Sequence, residues 1–302
     1  MANGRHRYLG STRCVLGAGR GRGFLDYFFL PSTSPKADGR IVAEYVPFVA
    51  AVMIATIAIG LLNMAARGLG AVSRQADDRW HTTGDIPHLA GPGMLLAILP
   101  WLPPLHGLVL AGFCAIGTVD DIRPLSAVLK ATLLLIPSAA AGWITGEPWV
   151  AVLIWFTANA VNLLDHADGL AAVTAMVAFA VAGSAGSLAA AGACLGLLVY
   201  NHPPARSFMG DGGSLMLGAG LVLAWSDSGI TMTILWCTVP LVDAVIVTLR
   251  RLKRGQRPWI GGKDHSGHIL LRAGFPPRLL PLAYGLVVAA IGFSGQAMLA
   301  TS

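Results

Sequence analysis

Ten apolar runs, separated by two unlike kinds of connection, decide what this chain can fold into. They fall at 45–66, 89–103, 106–119, 127–145, 149–164, 169–184, 187–200, 213–226, 229–249 and 279–299. The longer ones reach the length a helix needs to cross a hydrocarbon layer roughly 30 Å thick, and the short ones leave little room for tilt. Backbone in lipid must satisfy its own hydrogen bonds, which leaves helices and closed barrels. Barrel strands alternate polar and apolar positions, whereas these runs are apolar on both parities, so a barrel is excluded. Composition agrees: 55% of residues are hydrophobic, 12% charged, and the mean hydropathy is +0.65, against about 25% charged residues in soluble domains. The predicted fold class is all-α, a polytopic membrane bundle of about ten transmembrane helices.

The connections alternate between tiny turns, such as Pro103-Pro104 and Gly146-Glu147-Pro148, and polar loops at 67–88, 120–126, 165–168, 201–212 and 250–278. Past residue 45 every Lys and Arg, from Arg67 and Lys130 to Arg272 and Arg278, lies in the polar loops or at their edges. The positive-inside rule makes that face of a multi-pass membrane protein cytoplasmic. The formal charge of +6 is then topology and attraction to anionic lipid, with no nucleic-acid partner implied. Residues 1–44 carry Arg5, Arg7, Arg13, Arg20, Arg22, Lys36 and Arg40. They read as a basic extension, disordered or a misassigned start, ahead of a membrane domain at 45–302. Cys14, Cys114, Cys194 and Cys237 are scattered and suggest neither a disulfide framework nor a zinc site.

Carboxylates do not obey the topology rule, so their crowding on the same face needs another cause. Asp120-Asp121 closes an apolar run, and adjacent carboxylates raise one another's pKa unless a cation or proton intervenes. The pair suits a metal or a proton acceptor; the alternative is a helix cap. Lys130, at the base of the next run, is either a topology anchor or a phosphate partner. Asn159, Asn162, Asp165 and Asp168 recur every third residue, a spacing that drifts around an α-helix and aligns only if the end unwinds. Phe208-Met209-Gly210-Asp211-Gly212-Gly213-Ser214 opens a run with one carboxylate among glycines. That pattern fits a phosphate with its Mg²⁺ at a helix N-terminus, or a plain capped turn. Asp264-His265-Ser266-Gly267-His268 places two histidines three apart. Two His and an Asp could bind zinc, but no further Cys or His stands nearby at ligand spacing, so hydrogen-bond service to phosphate fits the basic loop better.

Taken in order, Gly117-Thr118-Val119-Asp120-Asp121, Asn159 to Leu170, Phe208 to Ser214 and Asp264 to His268 resemble the polyprenyl-phosphate N-acetylhexosamine-1-phosphate transferases of glycosyltransferase family 4. The resemblance spans about residues 45–300. It implies transfer of a sugar-1-phosphate, N-acetylglucosamine-1-phosphate first among candidates, from a UDP-amino sugar to undecaprenyl phosphate. UMP is released, the cofactor is Mg²⁺ with Mn²⁺ as the alternative, and the step opens cell-envelope polysaccharide synthesis. Carried over by motif, Asp211 looks like the family's metal-binding aspartate, with Asn162 close to the same ion. Asp120 resembles the group that deprotonates or positions the lipid phosphate, and Asp121 its partner. Lys130, Asn159, Asp165, Asp168 and Asp264 look like substrate contacts. His265 and His268 fall on the catalytic histidine motif near the pyrophosphate.

Two departures stand out. His166 occupies a position where the family pattern has Gly, which either alters the loop or adds a side chain facing water. The stretch Arg79 to Gly93 is a degenerate form of a family motif. Absence of a triple-histidine motif favours an N-acetylhexosamine donor over a muramoyl-pentapeptide one. A homodimer is left open. The rival readings are a secondary transporter, which would place ionisable groups at mid-membrane within broken helices and often shows repeats, and an inactive scaffold of the same fold.

Overall fold

A computed structural model describes residues 35–69, 71–73, 85–257, 259, 262 and 264–301. Among them the chain is eleven α-helices and one two-residue antiparallel strand pair. The helices are α1 (Pro35–Gly68), α2 (Ala90–Ile98), α3 (Pro104–Ile122), α4 (Ala127–Thr145), α5 (Pro148–Leu164), α6 (Leu170–Ala182), α7 (Ala185–Asn201), α8 (Gly210–Trp225), α9 (Gly229–Lys253), α10 (Ser266–Arg272) and α11 (Leu280–Thr301). All ten predicted apolar runs are helical, and the chain is an all-α, polytopic membrane protein. Arg74, Asp77, Asp78, Arg79, His81 and Lys263, and residues 1–34 of the basic extension, lie outside the described residues.

Local chemistry explains the boundaries. Ser126 and Ser184 accept the Leu129 and Ser187 amides and so cap α4 and α7. Gly146 and Gly183 end α4 and α6 at positive φ, where a Cβ would be strained. Three differences from the sequence reading stand out. Helix α1 starts at Pro35, ahead of the expected 45. Helix α9 runs to Lys253, past 249, because Arg250, Arg251 and Lys253 sit favourably at the negative end of a helix. The loop expected over 250–278 contains α10.

Helix α8 is the axis of the bundle. It packs against α2, α3, α5, α6 and α9 and is buried nearly all round, as its unbroken apolar and glycine sequence requires. Small residues let backbones touch there: a Cβ on Gly117 of α3 would lie 2.4 Å from the Asp211 carbonyl carbon. This contact brings the C-terminal end of α3, with its aspartate pair, onto the N-terminal end of α8. Conversely, Trp143 is 89% exposed, Met64 77% and Leu286 72%. Apolar groups that open to the outside are covered by lipid in a membrane bundle.

Candidate functional site

Four helix ends converge on one charged cluster. Lys130, in the first turn of α4, places its ammonium 2.8 Å from Asp120 Oδ2 of α3 and 2.5 Å from Asp211 Oδ2 of α8. Asp120 Oδ1 accepts the Leu125 amide at 2.6 Å, which orients the carboxylate through the α3–α4 turn. Asn162 of α5 donates to Asp211 Oδ1 at 2.8 Å and to Ser214 Oγ at 2.9 Å. The Lys130, Asp120 and Asp211 side chains stay 18%, 13% and 27% exposed, open enough for a solute to reach. A lysine between two carboxylates marks the position a divalent cation would take, and carboxylate, amide and hydroxyl oxygens are the donors Mg²⁺ prefers. The residues therefore fit such an ion.

Asp121 is in a different position. Its two oxygens accept the backbone amides of Asp211 at 2.9 Å and Gly212 at 3.1 Å, so it caps the first turn of α8 and aims Asp211 from behind. Of the two alternatives read from sequence, the pair divides them: Asp121 is a cap for a neighbouring helix, and Asp120 faces the cation. The run from Asn159 to Asp168 does not align either. Helix α5 stays α-helical to Leu164, and Asn159 donates to its own-helix carbonyl at Trp155, 2.7 Å away. Asp165 ends the helix. Asp168 accepts the Ala205 amide at 2.9 Å, while Asn201 accepts the Gly169 amide and donates to the Ser207 carbonyl, both at 2.9 Å, which ties the 165–169 loop to the 202–208 loop.

A second cluster lies just beyond the end of α5, in the α5–α6 turn. His166 stacks on His265, ring centroids 4.3 Å apart, and tilts over His268 at 4.7 Å. It thus does not face water, which corrects one of the two sequence readings of this residue. Burial first, and then the two neighbouring imidazoles, push its pKa down to about 3. His265 Nδ1 lies 3.1 Å from Asp243 Oδ2 of α9. Asp243 Oδ1 accepts the Ser266 amide at 3.0 Å and also the Ser266 hydroxyl, which contacts Tyr284. Arg251 pairs with Asp264 through two bonds, 3.2 and 3.1 Å. Burial would raise the Asp264 carboxyl, but the Arg251 guanidinium outweighs it and holds the group below the usual carboxylate range. Asp243, Arg251 and Tyr284 lie outside the motifs, and Ser266 lies inside one that assigned it no role. The available signal for Asp243 was an ionisable side chain inside an apolar run, which by default marks function.

The fold and this site define a membrane-embedded protein with a polar centre at one end of its bundle. Apart from Asp243 inside α9, the ionisable groups of both clusters gather at helix ends and loops rather than in mid-helix breaks, which disfavours the transporter geometry. Residues 134–228 match the family model for glycosyl transferase family 4, a stretch that includes Asn159, Asn162, Asp165, Asp168 and Asp211. Over 300 residues the chain is 26% identical to a Bacillus subtilis protein named probable undecaprenyl-phosphate N-acetylglucosaminyl 1-phosphate transferase, covering 83% of each. An Escherichia coli undecaprenyl-phosphate alpha-N-acetylglucosaminyl 1-phosphate transferase is 29% identical over 263 residues, 69% of this chain and 71% of that protein. A Moorella thermoacetica phospho-N-acetylmuramoyl-pentapeptide-transferase is 38% identical over 177 residues, 43% of this chain, and the chain spans 56% of that relative's length. Its likeness to glycosyl transferase family 4 thus rests on a matched central stretch and on relatives of low identity along most of the chain.

Proposed function

We propose that the chain transfers N-acetylhexosamine-1-phosphate, with N-acetylglucosamine-1-phosphate as the first choice, from a UDP-sugar to undecaprenyl phosphate. UMP is the leaving product and the site faces the cytoplasm of a bacterial inner membrane. The observation that carries this reading is the Lys130 bridge between Asp120 and Asp211, with Asn162 beside it, at the end of a lipid-solvated bundle. Such a position is reached by a water-soluble nucleotide from one side and by a lipid phosphate from the other. Relatives that cover most of the chain carry names for N-acetylglucosaminyl transfer, which supports the donor class.

In this mechanism Asp211 and Asn162, with Asp120 opposite, would hold Mg²⁺ or Mn²⁺, which would supply charge neutralisation for phosphate oxygens. Asp120 accepts the proton of the lipid phosphate or fixes the orientation of that oxygen. The lipid phosphate oxygen then bonds to the sugar-bearing phosphorus as the bond to UMP breaks. Lys130 neutralises the carboxylates before substrate arrives and is free to follow a phosphate once the ion takes its place. Asp121 keeps Asp211 aimed. His265 and His268 donate to the diphosphate, while Asn159, Asp165, Asp168 and Asp264 border the nucleotide side.

The test is UMP release from UDP-N-acetylglucosamine by the purified protein, with and without undecaprenyl phosphate and Mg²⁺. Release that needs all three supports the reading. Release only from UDP-N-acetylmuramoyl-pentapeptide would overturn the donor, and no release from either nucleotide would overturn the activity.

A further inference from the structure

In sequence, His265 and His268 lack a further zinc ligand at suitable spacing; folding supplies the missing groups from far along the chain. His166 from the α5–α6 turn and Asp243 from α9 close on His265, and one ligating atom from each residue lies within 4.8 Å of the others. Asp243 and His265 are buried, their side chains 3% and 5% exposed. His166 Nδ1 lies 3.2 Å from the Leu163 carbonyl, which fixes it as the donor nitrogen. Nε2 then carries a lone pair, is buried, and has no hydrogen-bond partner. A buried acceptor left unmatched costs free energy, and a cation beside an imidazole and a carboxylate removes that cost.

We propose that His166, Asp243 and His265 form a binding site for a zinc-class divalent cation, separate from the oxygen-lined Asp120–Asp211 cluster. Two imidazoles and one carboxylate are a zinc donor set with a fourth position open, and nitrogen donors select against Mg²⁺. Tetrahedral bonds of about 2.0 Å put ligand atoms roughly 3.3 Å apart. The 3.1 Å pair of His265 Nδ1 and Asp243 Oδ2 already matches, so the main movement is a rotation of His166 inward. On binding, the His265 proton moves from Nδ1 to Nε2, so that a neutral imidazole and the carboxylate oxygen bond the ion, and Arg251 Nη2, 3.4 Å from Nε2, turns toward Asp264. The surrounding bonds are in place: the Ser266 amide holds the other Asp243 oxygen at 3.0 Å, and Tyr284 contacts Ser266. Arg251, whose charge would oppose a cation, is paired to Asp264. Occupied, the site withdraws His265 from the donor diphosphate and makes zinc an inhibitor. That consequence rests on the transferase reading; the site itself does not.

The experiment is titration of the untagged, chelator-stripped full chain in detergent with Zn²⁺ and with Co²⁺ as a coloured probe. The expected result is one ion per chain and the visible bands of a tetrahedral Co²⁺ centre. Affinity should fall at least tenfold in His166→Gln and His166→Gly and stay unchanged in Asp211→Asn. Asp243→Asn removes a buried acceptor and can unfold the chain, so the two His166 variants carry the decision. Absence of binding overturns the proposal, as does binding undiminished in both His166 variants. Binding lost in Asp211→Asn alone would put the ion in the carboxylate cluster and overturn it equally.

Discussion

The two polar clusters hang from one helix end and differ in almost every physical respect. Asn162, on the last turn of α5, reaches Asp211; His166, four residues on, reaches His265 and His268. In the first cluster a lysine lies between two carboxylates, all partly open to solvent. In the second, imidazoles stack on one another over a buried carboxylate, walled by an Arg251–Asp264 pair that is only 2% and 6% exposed. Opposite charges near water exchange partners at modest cost, so the first cluster can trade its ammonium for an ion or a phosphate. A closed, hydrogen-bonded network resists such exchange because breaking it strands buried polar groups. The open cluster is the one suited to trading partners during turnover, and the closed one to holding its histidines in fixed positions.

The largest expected effect falls on the open cluster. Asp211→Asn preserves shape but removes the charge that Lys130 and Asn162 are arranged around. Turnover should drop by roughly 10³-fold, since the electrostatic stabilisation of transferring phosphate is lost. Near-normal UMP release by folded Asp211→Asn at limiting Mg²⁺ would show that the two clusters do not divide the labour as argued.

Next comes Asp120, whose carboxylate meets Lys130 opposite Asp211. Asp120→Asn should lower kcat by roughly 100-fold with little change in the apparent KM for the UDP-sugar, because it serves the other substrate. A rise in that KM with kcat preserved would move Asp120 to the nucleotide side.

How far these clusters could be read from sequence follows from the same contrast. The apolar runs mark every described α-helix except α10, because a helix covered by lipid or by its neighbours is apolar along its length. Asp120, Lys130, Asn162 and Asp211 were all singled out from their spacing and family resemblance, and they do meet. The closed cluster was only half legible. Its centre, His166, belongs to a segment nearly a hundred residues before His265, and its buried base, Asp243, looked like an isolated charge in an apolar run. Spacing rules see ligands along one element, whereas these partners meet only through the packing of α5, α9 and α10. The reversal at Asp121 has a similar origin, since no local pattern shows that a carboxylate ending α3 caps the start of α8.

His166 provides a pH test of the closed cluster. Its folded pKa lies near 3, below the free value of about 6.5, so between those values the unfolded chain binds a proton that the native state refuses. Stability is intact above about pH 6.5 and falls as pH drops through that window, by about 2 kcal/mol from pH 6.5 to 5 at 1.36 kcal/mol per unit. Chelator-treated protein in detergent should therefore melt earlier at pH 5 than at pH 7, and His166→Gly should flatten that dependence. An unchanged slope in the glycine variant would mean that His166 is protonated in the fold and the cluster is more open than its contacts indicate.

The smallest effect is the one that separates a cap from a catalyst. Asp121→Asn keeps one acceptor oxygen but turns an amide nitrogen toward the Asp211 or Gly212 N–H, so one of the two bonds at the start of α8 is lost. A helix cap of this kind is worth about 1 kcal/mol, and the loss should appear as a slightly lower melting temperature with kcat reduced only a few-fold. Because Asp211 is aimed by that turn, the remaining defect should be a higher Mg²⁺ requirement, relieved at saturating ion. Asp120→Asn offers no such relief if its carboxylate handles the lipid phosphate. Activity of Asp121→Asn that stays as low as that of Asp120→Asn at saturating Mg²⁺ would make both carboxylates reacting groups and overturn the division between them.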